Sequence, residues 1–432
     1  MKKLLRNGNV LIEEAPEKKD ILFDEEQILQ IAGRIEPDAD TEVIEAEGLT
    51  ILPGLVDTHV HLRDPGYTWK ETVRTGTEAA AHGGFTTIFA MPNVKPFPSD
   101  VKTMENYLAD IERNACVRVF PFGTITNQEA GKEPTDYQAL RELGIRWFSD
   151  DGVGVASSQV MEDAMKKAKA ADVLFSCHTE DMNYRRPGAS VHTGKAAEKN
   201  GWIGIPSETE YMQLVRDLDL AGKLGVKYHA DHLSAKESVE AMRKAKQAGA
   251  DVSAEVTAHH LLLNDQDVRG PNWKMNPPLR SEEDRQALIE GLESGAIDFI
   301  ANDHAPHSQE EKMKGMELAP FGIVSLETAF VLLYTEFVSK TKRWSLKQLV
   351  QWMSQAPARR FGLERTGEIR EGYRPDFVLV SLNKRGIVDP DTFLSKGKNT
   401  PFGGWETHCV IEETIAGGKT VYQSEERKSV HV

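Results

Sequence analysis

Eight short apolar runs, each closed by polar or ionisable residues and separated by amphipathic stretches, constrain this chain more than any other feature. The first, Thr50-Ile51-Leu52-Pro53-Gly54-Leu55-Val56, closes in Asp57-Thr58-His59. The second (85–91) closes in Pro92-Asn93, the third (117–122) in Gly123, and the fourth (145–148) in Ser149-Asp150-Asp151. The fifth (173–177) ends in His178 and the sixth (226–230) in Asp231-His232. The seventh (251–256) leads into Thr257-Ala258-His259-His260, and the eighth (296–301) into Asn302-Asp303-His304. Between them, stretches such as 158–165 and 238–245 set apolar residues three or four apart with charges opposite, the pattern of a helix with one buried face. Strands alternating with helices at this spacing predict parallel pairing through right-handed crossovers. Eight such units predict an α/β fold, a (β/α)8 TIM barrel whose functional groups gather at the C-terminal strand ends. Those ends carry His59, His61, Asn93, Asp151, His178, His232 and Asp303.

The two chain ends read differently. They are rich in Val, Ile, Thr and Gly and form short turn-bounded strands, for example 42–46 and 376–380. Neither end has enough strands to bury a face alone. Residues 1–53 and 364–432 are therefore expected to pair into one composite β-sandwich domain, with the barrel over 54–363. At 432 residues, the chain has room for a barrel of roughly 250 to 300 residues and a smaller module. There is no internal repeat and no low-complexity linker.

The net charge of −15 disfavours nucleic acid or an anionic membrane as partner, because phosphate binding needs a basic face. A small anionic substrate stays open, since one arginine reverses the field locally. Cys116, Cys177 and Cys409 are odd in number and widely spaced, which fits neither a disulfide framework nor a structural zinc site. The opening residues lack the apolar core of a signal peptide, and no run reaches the ~20 apolar residues of a membrane span. A soluble, cytoplasmic protein is expected.

His59 and His61 stand two apart at a strand end, so their side chains point the same way and both reach one metal. His178 or His232 alone reads as a packing or hydrogen-bonded residue. On successive strands of one rim they converge with His59 and His61, and four histidines sharing a rim by accident is rejected. Asp303 closes the eighth strand, beside the first in a shut barrel, and offers an oxygen ligand. Such a donor set suits Zn²⁺, with Mn²⁺, Co²⁺ or Ni²⁺ as alternatives. Asp150 and Asp151 both offer a carboxylate able to bridge two metals, with a turn or helix cap preferred for Asp150. His82, at a helix end, is expected to cap carbonyls, and His229 to face away from the rim positions. His259 and His260 are read as packing or supporting hydrogen bonds. His192, His408 and His431 lack supporting context.

Pro53-Gly54-Leu55-Val56-Asp57-Thr58-His59-Val60-His61-Leu62-Arg63 resembles the opening motif of the cyclic amidohydrolases. Asn302-Asp303-His304-Ala305-Pro306-His307 is similar to the dihydroorotase signature at the eighth strand. Ala90-Met91-Pro92-Asn93 and Lys274-Met275-Asn276-Pro277-Pro278-Leu279-Arg280 resemble substrate-binding segments of that family, and 372–380 the strand re-entering the β-module. The likeness spans almost the whole chain and is nearest to the long-chain bacterial (type I) dihydroorotases. It implies two zinc ions per subunit: His59, His61 and Asp303 on one, His178 and His232 on the other, Asp151 bridging. Relatives such as hydantoinases bridge with a carboxylated lysine on the fourth strand, whereas 145–151 has no lysine. Asn302 departs from the threonine or serine expected there. It should leave Asp303 in place with different hydrogen bonding around it.

The implied reaction is the reversible hydrolysis of dihydroorotate to N-carbamoyl-L-aspartate in de novo pyrimidine (UMP) biosynthesis. A metal-activated hydroxide would attack the ring carbonyl, with Asp303 as catalytic acid and base. Arg63, following the histidine pair, can grip the substrate carboxylate in a bidentate fork. Asn93 and His307 complete that grip. His61, Asn276, Phe321 and Gly322 are expected around the ring, and 308–319 as a mobile loop near the site. The resemblance further implies a homodimer and association with aspartate transcarbamoylase. The competing readings are an allantoinase or a hydantoinase/dihydropyrimidinase, and a non-catalytic barrel partner of aspartate transcarbamoylase.

Overall fold

In the computed structural model, which describes residues 1–430, the first apolar run does not form one strand but breaks at Gly54. Thr50–Pro53 pairs antiparallel with Phe377–Ser381, Pro53 opposite Phe377, while Leu55–Val60 pairs parallel with Phe85–Ala90. Gly54 allows the change of partner because a Cβ there would lie 2.1 Å from Thr86 Oγ1. His59 consequently lies inside the first barrel strand rather than after it.

The remaining barrel strands are Phe85–Ala90, Arg118–Pro121 continued by Gly123–Thr124, Trp147–Ser149, Leu174–Cys177, Lys227–Ala230, Val252–Thr257 and Phe299–Ala301. The recorded pairings between neighbours are all parallel. The eighth strand returns to the first through a parallel bridge between Val60 and His304, and His61 N–H donates to His304 O at 2.9 Å. The barrel is shut, which sets Asp303 beside the histidine pair.

The helices between strands follow from apolar spacing and caps. In Ser158–Ala171, Ser157 accepts the N–H of Val160, and Met161, Ala164, Met165, Ala168 and Ala171 form the buried stripe, spaced three and four apart as a helical face requires. Inside the barrel an aromatic floor of Phe89, Phe122, Trp147, Phe299 and Phe361 closes the lower end. Above it the interior turns polar, and the rim carries the site.

The chain ends build one eight-stranded sheet. Lys3–Val10 carries Glu42–Glu45 along its first half and Thr50–Pro53 along its last two residues, so the sheet splits into layers around Leu5, Ile21, Phe23, Ile51, Phe377 and Ile415. Gly8 permits the split, since a Cβ would lie 2.3 Å from Ile51 Cδ1. Among the described residues no helix is long and apolar enough to cross a membrane. His431 lies outside the described residues.

Candidate active site

His59 and His61 leave the first strand on one side, with ring centroids 5.4 Å apart. Asp151 faces both: its Oδ1 is 3.5 Å from His59 Nε2 and its Oδ2 3.4 Å from His61 Nε2. Asp303 Oδ1 lies 3.0 Å from His61 Nε2 and 3.7 Å from His59 Nε2. On the other side His178 Nδ1 and His232 Nε2 face one another at 3.1 Å, and His232 Nε2 is 3.7 Å from Asp151 Oδ1. Arg63, His232 and Asp303 have positive φ (59°, 31° and 46°). That region costs a non-glycine residue energy and is often occupied where side chains are re-aimed at a functional site.

The cluster is built to receive a cation. The ligand atoms of His59, His61 and Asp151 lie within 4.8 Å of one another, as do those of Asp151, His178 and His232. Among the described residues His59 Nε2 and Asp151 Oδ1 are buried with no hydrogen-bond partner, an arrangement that costs about 1–3 kcal/mol per orphaned group unless something binds there. The charge balance agrees. Burial works against a charge on His59, yet Asp151, Glu255 and Asp231 raise its pKa well above the ordinary value. Burial also pushes the Asp151 carboxyl up, but His59 and His232 outweigh it and hold it well below the usual range. The surrounding carboxylates thus draw positive charge into the cluster, and a divalent cation meets that demand with neutral imidazoles.

Beneath the rim lies a buried network whose members are far apart in the chain. Glu255 Oε1 is 3.0 Å from His59 Nδ1, Glu255 Oε2 accepts from Thr58 Oγ1 at 2.6 Å, and His229 Nε2 lies 3.1 Å from Oε2. Glu255 therefore fixes the His59 ring with Nε2 toward the cluster, as carboxylates behind ligating histidines do. His229 shares the barrel interior with the rim residues instead of facing away from them, stacking on Phe299 at 4.9 Å. The positive φ at His232 breaks the alternation on which the opposite expectation rested. Glu180 does for His178 what Glu255 does for His59: its Oε2 is 3.4 Å from His178 Nε2 and accepts from Asn276 Nδ2 at 3.0 Å. Glu255→Gln is expected to weaken binding of a divalent metal ion at this cluster about 10- to 100-fold, read by competition against a chelator. Unchanged affinity would show that the ring is held without it.

The pocket beside this cluster measures about 250 Å³ and is lined by Arg63, Asn93, Arg185, Asn276, His307, Phe321 and Gly322, among others. Arg63 is half-buried; its Nε donates to Pro306 O at 3.4 Å, and among the described residues it has no carboxylate ion-pair partner. Asn93 is engaged within the cluster, its Oδ1 2.9 Å from His61 Nδ1 and its Nδ2 donating to Asp151 Oδ2 at 3.1 Å. His307 Nε2 is 2.7 Å from Phe321 O and its Nδ1 3.2 Å from Lys70 Nζ. Burial, followed by the charges of Arg63, Lys70 and Lys312, pushes its pKa far down, so the ring is neutral, donating to Phe321 and accepting from Lys70. Gly322 has φ +124°, and a Cβ there would meet that of Ala305 at 2.5 Å. Only glycine lets the backbone approach His307 this closely.

Several residues set aside in the sequence find structural roles. Asp150 accepts the Thr126 N–H at 3.0 Å and turns the loop, consistent with a cap. Asn302 donates N–H and Nδ2 to Asp57 at 3.2 and 2.8 Å, a buried anchor that explains how an amide replaces a hydroxyl next to Asp303. His82 does not cap carbonyls. Gly83 N–H serves that helix end, and His82 pairs with Glu327 and stacks on Tyr422. His260 is held by Thr257 and Pro277 O, at 2.7 and 3.1 Å. His192 lies 3.2 Å from Arg280 Nη1, and His408 Nδ1 2.8 Å from Ser339 Oγ.

Residues 48–238 match the family model described as Dihydro-orotase-like. A protein named Dihydroorotase from Anoxybacillus flavithermus is 52% identical over 399 residues, covering 92% of each chain. Another of that name from Bacillus licheniformis is 50% identical over 426 residues, covering 98% of this chain and 99% of its own. Among solved structures, the L-hydantoinase (dihydropyrimidinase) of Arthrobacter aurescens superposes with a TM-score of 0.87 at 25% identity, over 98% of this chain and 96% of that one. The fold is thus a TIM barrel with an attached β-sandwich, shared with hydantoinases. Identity near one half, sustained from end to end on that fold, makes this chain a member of the dihydroorotase family.

Proposed function

We propose that the chain interconverts (S)-dihydroorotate and N-carbamoyl-L-aspartate at a centre of two zinc ions, in cytoplasmic pyrimidine synthesis. The observation that carries this reading is Arg63, a cation with no acidic partner among the described residues, placed at the edge of an otherwise acidic, metal-ready cluster. A ring amide lacking a carboxylate has no use for it. His59, His61 and Asp303 would hold one ion, His178 and His232 the other, with Asp151 shared. Bound zinc supplies an activated water at neutral pH and polarises the carbonyl under attack.

The chain's own residues do the rest. Arg63 grips the substrate carboxylate through parallel N–H donors, with Asn93 and neutral His307 at its sides. Asn276 and the Phe321–Gly322 backbone border the urea edge of the ring. Burial alone would raise the Asp303 carboxyl, but His61, His59 and His232 hold its pKa down to about 2. It is therefore ionised at neutral pH. It accepts a proton from the attacking water and delivers it to the ring nitrogen as the C–N bond breaks. Ring closure uses the same groups in reverse. A homodimer and an association with aspartate transcarbamoylase belong to the same reading.

Stripping the protein with a chelator is expected to abolish turnover and zinc to restore it, measured as dihydroorotate consumed per mole of metal bound. Activity that survives complete metal removal would overturn the proposal. Dihydrouracil, the same ring without the carboxylate, hydantoin and allantoin serve as competitors, and preference for any of them over dihydroorotate would favour the hydantoinase or allantoinase reading.

A further inference from the structure

Two lysines next to the pocket are buried without a carboxylate partner among the described residues. Lys274 is 2% exposed and Lys312 5%. Lys312 Nζ donates to three backbone carbonyls, Lys274 O at 3.3 Å, Pro320 O at 3.1 Å and Gly322 O at 3.0 Å, using every donor an ammonium has. Lys274 Nζ answers in the opposite direction, donating to Met316 O at 2.6 Å and Glu317 O at 3.1 Å. The backbone of residue 274 also accepts the Gly322 N–H at 2.9 Å. The stretch expected to be a mobile loop is thus two short helices, Gln309–Lys312 and Gly315–Leu318, cross-tied to the segment that carries Asn276. Its other flank is fastened by Lys70, 3.1 Å from Glu311 and 3.2 Å from His307.

Burying two ammonium groups is a costly way to hold a loop, since each loses hydration and side-chain freedom. A methionine would fill the space more cheaply. What the ammonium adds is direction. Pro320 O and Gly322 O are held by Lys312, and Phe321 O between them by His307, so three consecutive carbonyls each have a fixed partner. The Phe321 ring is held as well, with Lys274 Nζ 4.5 Å and the Arg185 guanidinium 4.8 Å from its centroid. Among the described residues the Phe321 N–H is left without an acceptor.

We propose that Lys312, with Lys274 as its counterpart, is a positioning residue that locks the Phe321–Gly322 backbone against the substrate and so sets substrate affinity while touching neither substrate nor metal. This rests on the reading that Phe321 and Gly322 border the dihydroorotate ring. Lys312→Met keeps the apolar stem and removes all three donors. It is expected to raise the KM for dihydroorotate about 10-fold or more, with kcat within about 3-fold and zinc per chain unchanged, the signature of lost binding rather than lost chemistry. Amide exchange should quicken in 308–323 and not in the barrel strands.

An unchanged KM, or a fall in kcat at constant KM, would overturn the proposal. If Lys312→Met does not fold, the wild-type protein decides. Residues 308–323 and 272–276 must then exchange as one cooperative unit, and independent opening contradicts the cross-tie. Wild-type protein that ignores dihydroorotate overturns the functional reading and this proposal with it. Turnover by wild type with an unaltered Lys312→Met KM overturns this proposal alone.

Discussion

Arg63→Ala is expected to raise the KM for dihydroorotate about 30- to 1,000-fold while leaving zinc content and fold intact. Truncating one partner of a desolvated, hydrogen-bonded charge pair costs about 2–4 kcal/mol, and each 1.4 kcal/mol is about tenfold in affinity. The setting favours that range. Arg63 is half-buried, with only long contacts to Pro306 O at 3.4 Å and, through Nη2, to His307 Nε2 at 3.5 Å, and is held by a backbone with φ 59°, so its guanidinium keeps donors for a ligand and is constrained in where it points. Dihydrouracil provides the control, because it carries no carboxylate for Arg63 to meet. Its turnover by the variant should match that by wild type. A KM for dihydroorotate unchanged by the substitution would remove the basis for assigning a carboxylate-bearing substrate.

Asp303→Asn should lower kcat about 10²- to 10⁴-fold, with dihydroorotate still bound. The substitution keeps the shape and a hydrogen bond to His61 but removes the base. Asp303 is buried against His61 at 3.0 Å, and Asn302 anchors the backbone beside it to Asp57. The amide should therefore sit where the carboxylate did. Because Asp303 is also a proposed ligand, metal must be measured in the same sample. A rate loss that added zinc rescues would assign Asp303 to metal binding alone, whereas a loss at full zinc content assigns it the proton transfer.

The sequence pattern revealed the barrel because its strands are short, apolar and spaced by helices with clear stripes. It revealed the rim because ionisable residues at strand ends are conspicuous next to apolar runs. His59, His61, Asp151, His178, His232 and Asp303 could all be picked out this way, and the structure brings them within a few ångströms of one another. What stayed hidden depends on partners distant in sequence. Glu255 was visible as one charge within a buried strand, but its contact with His59, 196 residues away, exists only once the barrel closes. Glu180 and the lysines at 70, 274 and 312 look like ordinary surface charges until packing removes their water. The break at Gly54 was invisible for a related reason. An apolar run shows burial, and nothing in it says that its two halves serve different sheets. The reversed expectation for His229 failed because alternation presumes regular strand geometry, which the backbone gives up at His232.

The most direct test is an assay of freshly purified protein on dihydroorotate with metal quantified in the same sample. The account predicts about two zinc ions per chain and interconversion of dihydroorotate and carbamoyl-aspartate, in preference to dihydrouracil, hydantoin or allantoin. Protein that carries its full zinc and leaves dihydroorotate untouched would contradict it.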